Sequence, residues 1–299
     1  MTTSPLPQLQ MFLAVARHRS FSGAARELGV STSAVSQSVK QLEEQLRVVL
    51  LTRTTRAVAP TDAGTRLIES AGPAMKQALE ALSTATAKPG EVVGRVKLSV
   101  GSSAVPLVLA QLVPVFRARH PRVELEVVVE ERLVNIVSEG YDAAIRLSES
   151  VQRDMVQVRL TDEFRFVVVG APAYFEKHGT PKRPQDLLHH ECFTFRGQST
   201  GALYAWELER GRQKWRIPVR GGVVASESRL CVMLAEKGLG LAYTLEPAVR
   251  DQLRKGVLAK VLESYAPLVP GFFLCYPSRA QSSAPLRLLV DVARSVLAR

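Results

Sequence analysis

Disulfides, metal clusters and membrane spans all lack their raw material in this sequence. There are three cysteines among 299 residues. Cys192, Cys231 and Cys275 lie far apart, with no CxxC pair and no Cys/His cluster at metal spacing, which argues against a disulfide framework or a zinc site. No apolar run approaches the roughly twenty residues that cross a bilayer, and no leader-like segment opens the chain, so a cytoplasmic protein is expected. Carboxylates are the scarcer charge: Asp and Glu number 28 against 39 Lys and Arg, a formal charge of +11. Such an excess points to a polyanionic partner. Residues 1–60 carry Arg17, Arg19, Arg26, Lys40, Arg47, Arg53 and Arg56 against Glu27, Glu43 and Glu44. The basic character is therefore densest at the N-terminus without being confined to it.

Catalytic signatures are missing too. Gly101-Ser102-Ser103-Ala104 lacks the second glycine of a nucleophile elbow. Gly238-Leu239-Gly240 is half of a dinucleotide fingerprint, with Tyr243 where the last glycine should stand; it reads as a tight turn before a buried strand. His189-His190 has no carboxylate partner at metal spacing, and Asp142 reads as a carboxylate that satisfies a loop. With no triad, carboxylate pair or phosphate loop, we expect no enzyme, no metal and no cofactor.

What is present is concentrated between Ser20 and Leu46, which reads SFSGAARELGVSTSAVSQSVKQLEEQL. Ala24, Ala25 and Leu28 suit a first helix that lets a second approach closely. Gly29 ends it, since glycine takes positive φ without a Cβ clash. Val30 is the apolar residue of the turn and is expected to pack inward, and Ser31 supplies an N-cap. Val35, Val39, Leu42 and Leu46 recur at helical spacing and predict one buried stripe. The opposite face carries Thr32, Ser33, Ser36, Gln37 and Lys40, with no carboxylate before Glu43. Short hydroxyls, an amide and a cation can hydrogen-bond base edges and phosphates in a major groove. This is a helix-turn-helix over about 21–40, its second helix reading DNA. Upstream, Leu9, Phe12, Leu13 and Val15 supply a third helix face. Downstream, Val48 to Thr61 has two apolar runs bracketing Arg53 and Arg56, the pattern of a β-ribbon wing presenting guanidinium groups to phosphate or a minor groove.

These pieces together resemble the DNA-binding region of LysR-type transcriptional regulators: FLAVARHRSFSGAARELGVSTSAVSQSVKQLEEQL, the L-x-R-x-x-R of Leu51, Arg53 and Arg56, then Pro60-Thr61-Asp62-Ala63-Gly64. In one departure Thr32-Ser33 stand where the family often has Gln-Pro. This touches the base preference of the first turn and not the fold. The C-terminal part is similar to the two-lobed effector domain of the same family, itself like periplasmic binding proteins, through GRVKLSVG, FRARHPRVELEV, EGYDAAIRL, APAYFEKHGTP, PQDLLHH and GLGLAY.

Chain length allows two or three domains. The reading divides them as a winged helix-turn-helix over 1–61, a linker over 62–90 and a two-lobed α/β domain over 91–299. Lobe I takes about 91–162 and 268–299, lobe II about 163–267. In the linker Leu67, Ile68, Ala71, Met75, Ala78, Leu79 and Leu82 form an apolar seam with nothing of its own domain to pack on. The resemblance makes it a helix that pairs with its copy, and Gly72-Pro73 predicts a kink. Beyond Lys88-Pro89-Gly90 strands alternate with helices, including a helix over 133–139, which argues for sheets of parallel strands.

Ligands of such sheets sit beyond the carboxyl ends of the strands. Ser102 and Ser103 follow the first strand and could hold a ligand carboxylate. Arg146 ends another strand, Phe195 offers a ring, and Ser226 precedes a helix as Ser102 does. The blander reading makes the serines N-caps and Arg146 half of a surface ion pair. The resemblance implies no enzyme but a regulator that binds double-stranded DNA, pairs through the linker, forms tetramers and responds to a small effector, with polymerase access changing in turn. The competing possibility is a ligand-binding or enzymatic α/β protein whose N-terminal domain serves assembly.

Overall fold

Three helices close the N-terminal core: α1 (Leu6–His18), α2 (Phe21–Leu28) and α3 (Thr32–Leu46). The computed structural model describes residues 4–53, 58–84, 91–147, 155–196, 201–278, 280 and 283–297, and for residues 53, 76, 80, 83 and 84 the backbone alone. Ser20 caps α2 by accepting the Gly23 N–H, Gly29 ends it at φ 66°, and Ser31 caps α3 by accepting the Ala34 N–H. Val35, Val39 and Leu42 are buried against Phe12, Val15, Ala24 and Ala25. Each such valine, leucine or phenylalanine contributes roughly 1.5–3 kcal/mol when fully buried. Two expectations fail here. Val30 closes the end of α2 instead, its N–H donating to Ala25 O at 3.1 Å, and its side chain is 38% exposed. Leu46, the last residue of the stripe, is 48% exposed.

β1 (Leu51–Arg53) and β2 (Val58–Pro60) pair antiparallel as the wing. Glu43 fastens the wing to α3, its Oε1 accepting the N–H groups of Leu50 at 2.8 Å and Leu51 at 3.1 Å. Thr61 Oγ1 donates to Val49 O at 2.7 Å and accepts the Gly64 N–H at 3.1 Å, starting the next helix. Gly64 is required there, because a Cβ would lie 2.2 Å from Leu50 O. The helix is α4 (Asp62–Thr84), 23 residues that run through Gly72-Pro73 unbroken. It gives Ile68 to the core but leaves Leu79 and Leu82 43% and 69% exposed.

The remaining chain builds two sheets. The first contains β3 (Gly94–Val100), β4 (Val123–Val129), β5 (Ala143–Leu147), β6 (Met155–Arg159) and β15 (Phe272–Pro277) in the order β4-β3-β5-β15-β6. A π-helical turn, Val105–Leu109, leads into α5 (Ala110–Arg119), which packs with α9 (Ala284–Leu297) on one face of this sheet. The second contains β7 (Phe164–Gly170), β8 (Cys192–Phe195), β11 (Val224–Ala225), β12 (Leu241–Leu245) and β13 (Ala259–Val261) in the order β11-β8-β12-β7-β13; β14 (Leu268–Val269) also pairs with β7. Around it lie α6 (Pro172–His178), the hairpin of β9 (Trp206–Arg210) and β10 (Gln213–Ile217), α7 (Ser228–Glu236) and α8 (Arg250–Arg254).

The sheets are mixed and not purely parallel. β4, β3 and β5 are parallel, as are β11, β8 and β12. The strand arriving from the other half, β15 in the first sheet and β7 in the second, runs antiparallel to its neighbours. Leu245, Phe164 and Phe166 from the second half join the core of the first, so the halves share apolar contact at the crossover. Residues 133–139 form no full helix. Asn135 Oδ1 accepts the Ser138 N–H, and Gly140 at φ 72° lets Tyr141 N–H donate to Ile136 O, which limits the segment to one capped turn.

Candidate functional site

Two separate sites take shape. On α3 the residues opposite the buried stripe project together. Thr32, Ser33, Gln37 and Lys40 are exposed and Ser36 half-buried. Ser33 Oγ shares a 2.9 Å hydrogen bond with Ser31 Oγ. Gln37 makes no side-chain hydrogen bond among the described residues. Lys40 Nζ lies 3.6 Å from Glu44, both largely exposed, a weak restraint. The first turn of α3 carries no acidic residue, and of its N–H groups Ser31 Oγ takes that of Ala34, so the positive dipole end faces no carboxylate of its own first turn. Arg56 and the Arg53 side chain lie outside the described residues.

The second site is at the carboxyl ends of β3 and β5, whose register pairs Val100 with Ile145, so that Ser102 and Arg146 lie one or two residues beyond the last pair on neighbouring strands. Arg146 is no surface ion pair. Its Nη1 donates to Ile145 O at 2.9 Å, and its Nη2 to Ser99 Oγ at 2.7 Å and Arg132 O at 3.3 Å. All three partners are neutral, so its charge has no direct carboxylate partner among the described residues. Burial pulls its pKa below the usual range, with Glu130 and Glu131 opposing from nearby. Ser99, fully buried, donates to Glu130 Oε1 at 2.9 Å, and Tyr141 OH donates to the same oxygen at 2.6 Å. Burial and that bond push the Tyr141 pKa up to about 12. Arg132 joins Glu130 through Nε at 2.7 Å and grips Glu139 with both terminal nitrogens, at 2.9 and 2.5 Å. Ser102 is not an N-cap hydroxyl; its N–H donates to Glu131 Oε1 at 2.9 Å. The main-chain donor expected to meet a ligand carboxylate thus already holds a carboxylate of the chain. Ser103 lies beside it, half-buried.

In the other half, β8 and β11 are parallel with Phe195 opposite Ala225, which sets Phe195 and Ser226 at one end of one sheet. Phe195 stacks on Tyr204, ring centroids 4.6 Å apart. Ser226 does not cap α7, whose N-cap is Glu227. The five candidates thus fall into two groups, Ser102, Ser103 and Arg146 in one half and Phe195 and Ser226 in the other. No hydrogen bond or ion pair joins the groups among the described residues. A cavity of about 520 Å³ lined by Phe164, Arg165, Glu246, Arg250 and Lys260 among others contains none of them. Its Lys260 is already held by Glu246 and Glu263, each at 2.8 Å. Asp142 accepts the Lys97 N–H at 2.8 Å, a main-chain duty, and His190 meets the Tyr174 hydroxyl at 3.2 Å.

Ser99, Glu130, Arg132 and Tyr141 escaped the sequence reading. The signal was there: in β3, Lys97 and Ser99 occupy the face opposite Val96, Leu98 and Val100, and a sheet face carrying a lysine and a serine needs polar company.

Comparison with known proteins fits this geometry. Residues 6–65 match the model of the bacterial regulatory helix-turn-helix protein, lysR family, and residues 89–298 match the LysR substrate binding domain. A Pseudomonas aeruginosa homologue is 38% identical over 293 residues, 97% of this chain and 94% of its own. The Escherichia coli HTH-type transcriptional regulator PgrR is 30% identical over 291 residues, 97% of each chain. Among solved structures, CrgA, a LysR-type transcriptional regulator from Neisseria meningitidis, superposes with a TM-score of 0.60 at 28% identity over 99% of both chains. ArgP from Mycobacterium tuberculosis shares the fold with a TM-score of 0.68 at 21% identity, over 97% of this chain and 96% of its own.

Proposed function

The chain belongs to the LysR family of transcriptional regulators, and on that premise we propose how its own residues carry the task. The division is a DNA-binding unit over 1–61, a pairing helix over 62–90 and an effector unit over 91–299. α3 enters the major groove. Gln37 reads adenine N6 and N7, and Ser36 and Lys40 reach neighbouring edges or phosphates. Thr32 and Ser33 meet phosphate at the helix start, and Arg53 and Arg56 hold the backbone from the wing. α4 pairs with a second copy through the seam that holds Leu79 and Leu82, and the dimers join as tetramers in the cytoplasm. A small anionic effector binds between the lobes, where Ser102, Ser103 and Arg146 face Phe195 and Ser226. Its negative group exchanges with Glu131 for the Ser102 N–H and pairs directly with Arg146, whose own hydrogen-bond partners are neutral. By linkage it acts only through unequal affinity for two arrangements of the DNA-binding pairs, and RNA polymerase access follows that change. Among the described residues no helix is long and apolar enough to cross a membrane.

The observation that carries the DNA reading is the α3 face: polar, exposed and free of carboxylates in its first turn. Genomic footprinting of the chain is the test. The expected result is protection of paired sites one or more helical turns apart. Protection that ignores sequence would remove the base-reading role of α3.

A further inference from the structure

The turn that ends with Gly140 is in contact with the DNA-binding unit of the same chain. A Cβ on Gly140 would lie 2.7 Å from Arg17 Cδ and 3.0 Å from its Cγ, so the methylenes of Arg17 rest on bare backbone. Arg17 sits in the last turn of α1 and is held by Glu27 at 2.9 Å, which also binds His18. Charge crosses the same boundary. Lys97 is held below the usual lysine range by burial first, then by Arg95 and by Arg17. Burial alone would raise Glu139. The Arg132 hydrogen bond, the Asn135 N–H and the charges of Arg132 and Arg19 outweigh it and hold the carboxyl below its usual range.

From that turn an unbroken polar chain runs to the effector site. Glu139 is gripped by Arg132, Arg132 binds Glu130, and Glu130 takes the hydrogens of Ser99 and Tyr141. Arg146 closes it from the far side, on Ser99 Oγ and on the Arg132 carbonyl. We propose that residues 139–141 are the seat of α1 within one chain, and that the Glu139–Arg132–Glu130–Ser99 chain makes the hold on α1 depend on how Arg146 is engaged. Glycine is the residue this seat needs, for its positive φ and for the space Arg17 fills. The dependence on Arg146 rests on the assignment of that residue to the effector site; the docking of α1 does not.

A contiguous route is not coupling until both ends are shown to respond. Hydrogen exchange of the full chain, read on peptides covering 136–142 and 17–20, measures both without any ligand. Arg17→Ala should raise exchange at 136–142 about tenfold while peptides of α2 and α3 keep the parent rate. Arg17→Lys, which keeps the methylenes, should restore protection. Arg132→Met and Arg146→Met should raise exchange at 136–142 and also at 17–20. Parent-like exchange at 136–142 in Arg17→Ala would show that α1 does not fill the seat. Loosening of 136–142 with 17–20 unchanged in both methionine variants would reject the coupling. Failure of the effector reading has a different signature: the exchange pattern holds, and Arg146→Met binds small anions as the parent does.

Discussion

On α3 Gln37 and Lys40 are exposed and at most weakly engaged among the described residues, whereas the side chains at the ends of β3 and β5 are tied to one another. Gln37 and Lys40 stand on a helix fixed from below by Val35, Val39 and Leu42 and capped by Ser31. A DNA contact at Gln37 and Lys40 would have only the exposed Lys40–Glu44 pair to displace among the described residues. Arg146, Ser99, Glu130 and Arg132 are already satisfied by their neighbours, so a ligand there gains only the difference between its bonds and those it replaces. Such a difference suits a switch, because coupling between sites is typically 1–3 kcal/mol. The two regions also differ in foundation. The DNA-binding unit rests on one core cluster, closed by Ile68 of α4, while the effector unit has several.

The largest expected effect breaks the comparison at that foundation. Phe12 is fully buried at the centre of the small core, and its loss in Phe12→Ala costs about 3–5 kcal/mol, a large share of the roughly 5–15 kcal/mol that holds a domain. Calorimetry of the variant should show an early transition of the N-terminal unit, with DNA binding gone and the effector-unit transition unmoved. One merged transition would mean that the units do not stand on separate cores. A smaller effect concerns α4, whose Leu79 and Leu82 are left 43% and 69% exposed among the described residues. Leu79→Glu would set an unpaired charge in the apolar contact proposed between copies. Sedimentation at micromolar concentration should give a lower mass than the parent; an unchanged mass would place the pairing surface elsewhere.

The same contrast decided what could be read from the sequence. The helix-turn-helix was legible because its determinants are local: Ser20, Gly29 and Ser31 act within a few residues of their partners. Val30 was misjudged because apolar character says nothing about which way a chain leaves a helix end. In the effector unit the order of strands and helices was visible. The antiparallel entry of β7 and β15 was not, since it follows from a chain that crosses between halves and back. The candidates Ser102, Arg146, Phe195 and Ser226 do stand at strand ends. Their partners Ser99, Glu130 and Arg132 were missed because pairs such as Ser99 with Glu130 are 31 residues apart, and no periodicity links them. The turn at 135–140 is set by side-chain bonds from Asn135 and Glu139 that compete with the helix.

The smallest effect sharpens the comparison at a single side chain. Gln37 projects from the exposed face one residue from Ser36 and three from Lys40, and nothing in the described chain occupies its amide. An amide presents a donor and an acceptor in one plane, which matches adenine N6 and N7 in the major groove. Because the side chain is unengaged in the free protein, Gln37→Ala should leave thermal stability unchanged, as for an ordinary exposed helix position. Its whole effect should appear on DNA, a loss on the order of 1–3 kcal/mol on a footprinted site and almost none on random duplex. Arg146→Met should do the reverse, disturbing stability through Ser99 and the Arg132 carbonyl before any ligand is added. Competition binding against both DNAs checks the first, and denaturant unfolding of the two variants side by side checks the second. Equal loss on specific and random DNA would make Gln37 a backbone contact. No loss on either would make it a solvated residue, and the open face of α3 would then read bases through Ser36 and Lys40 without it.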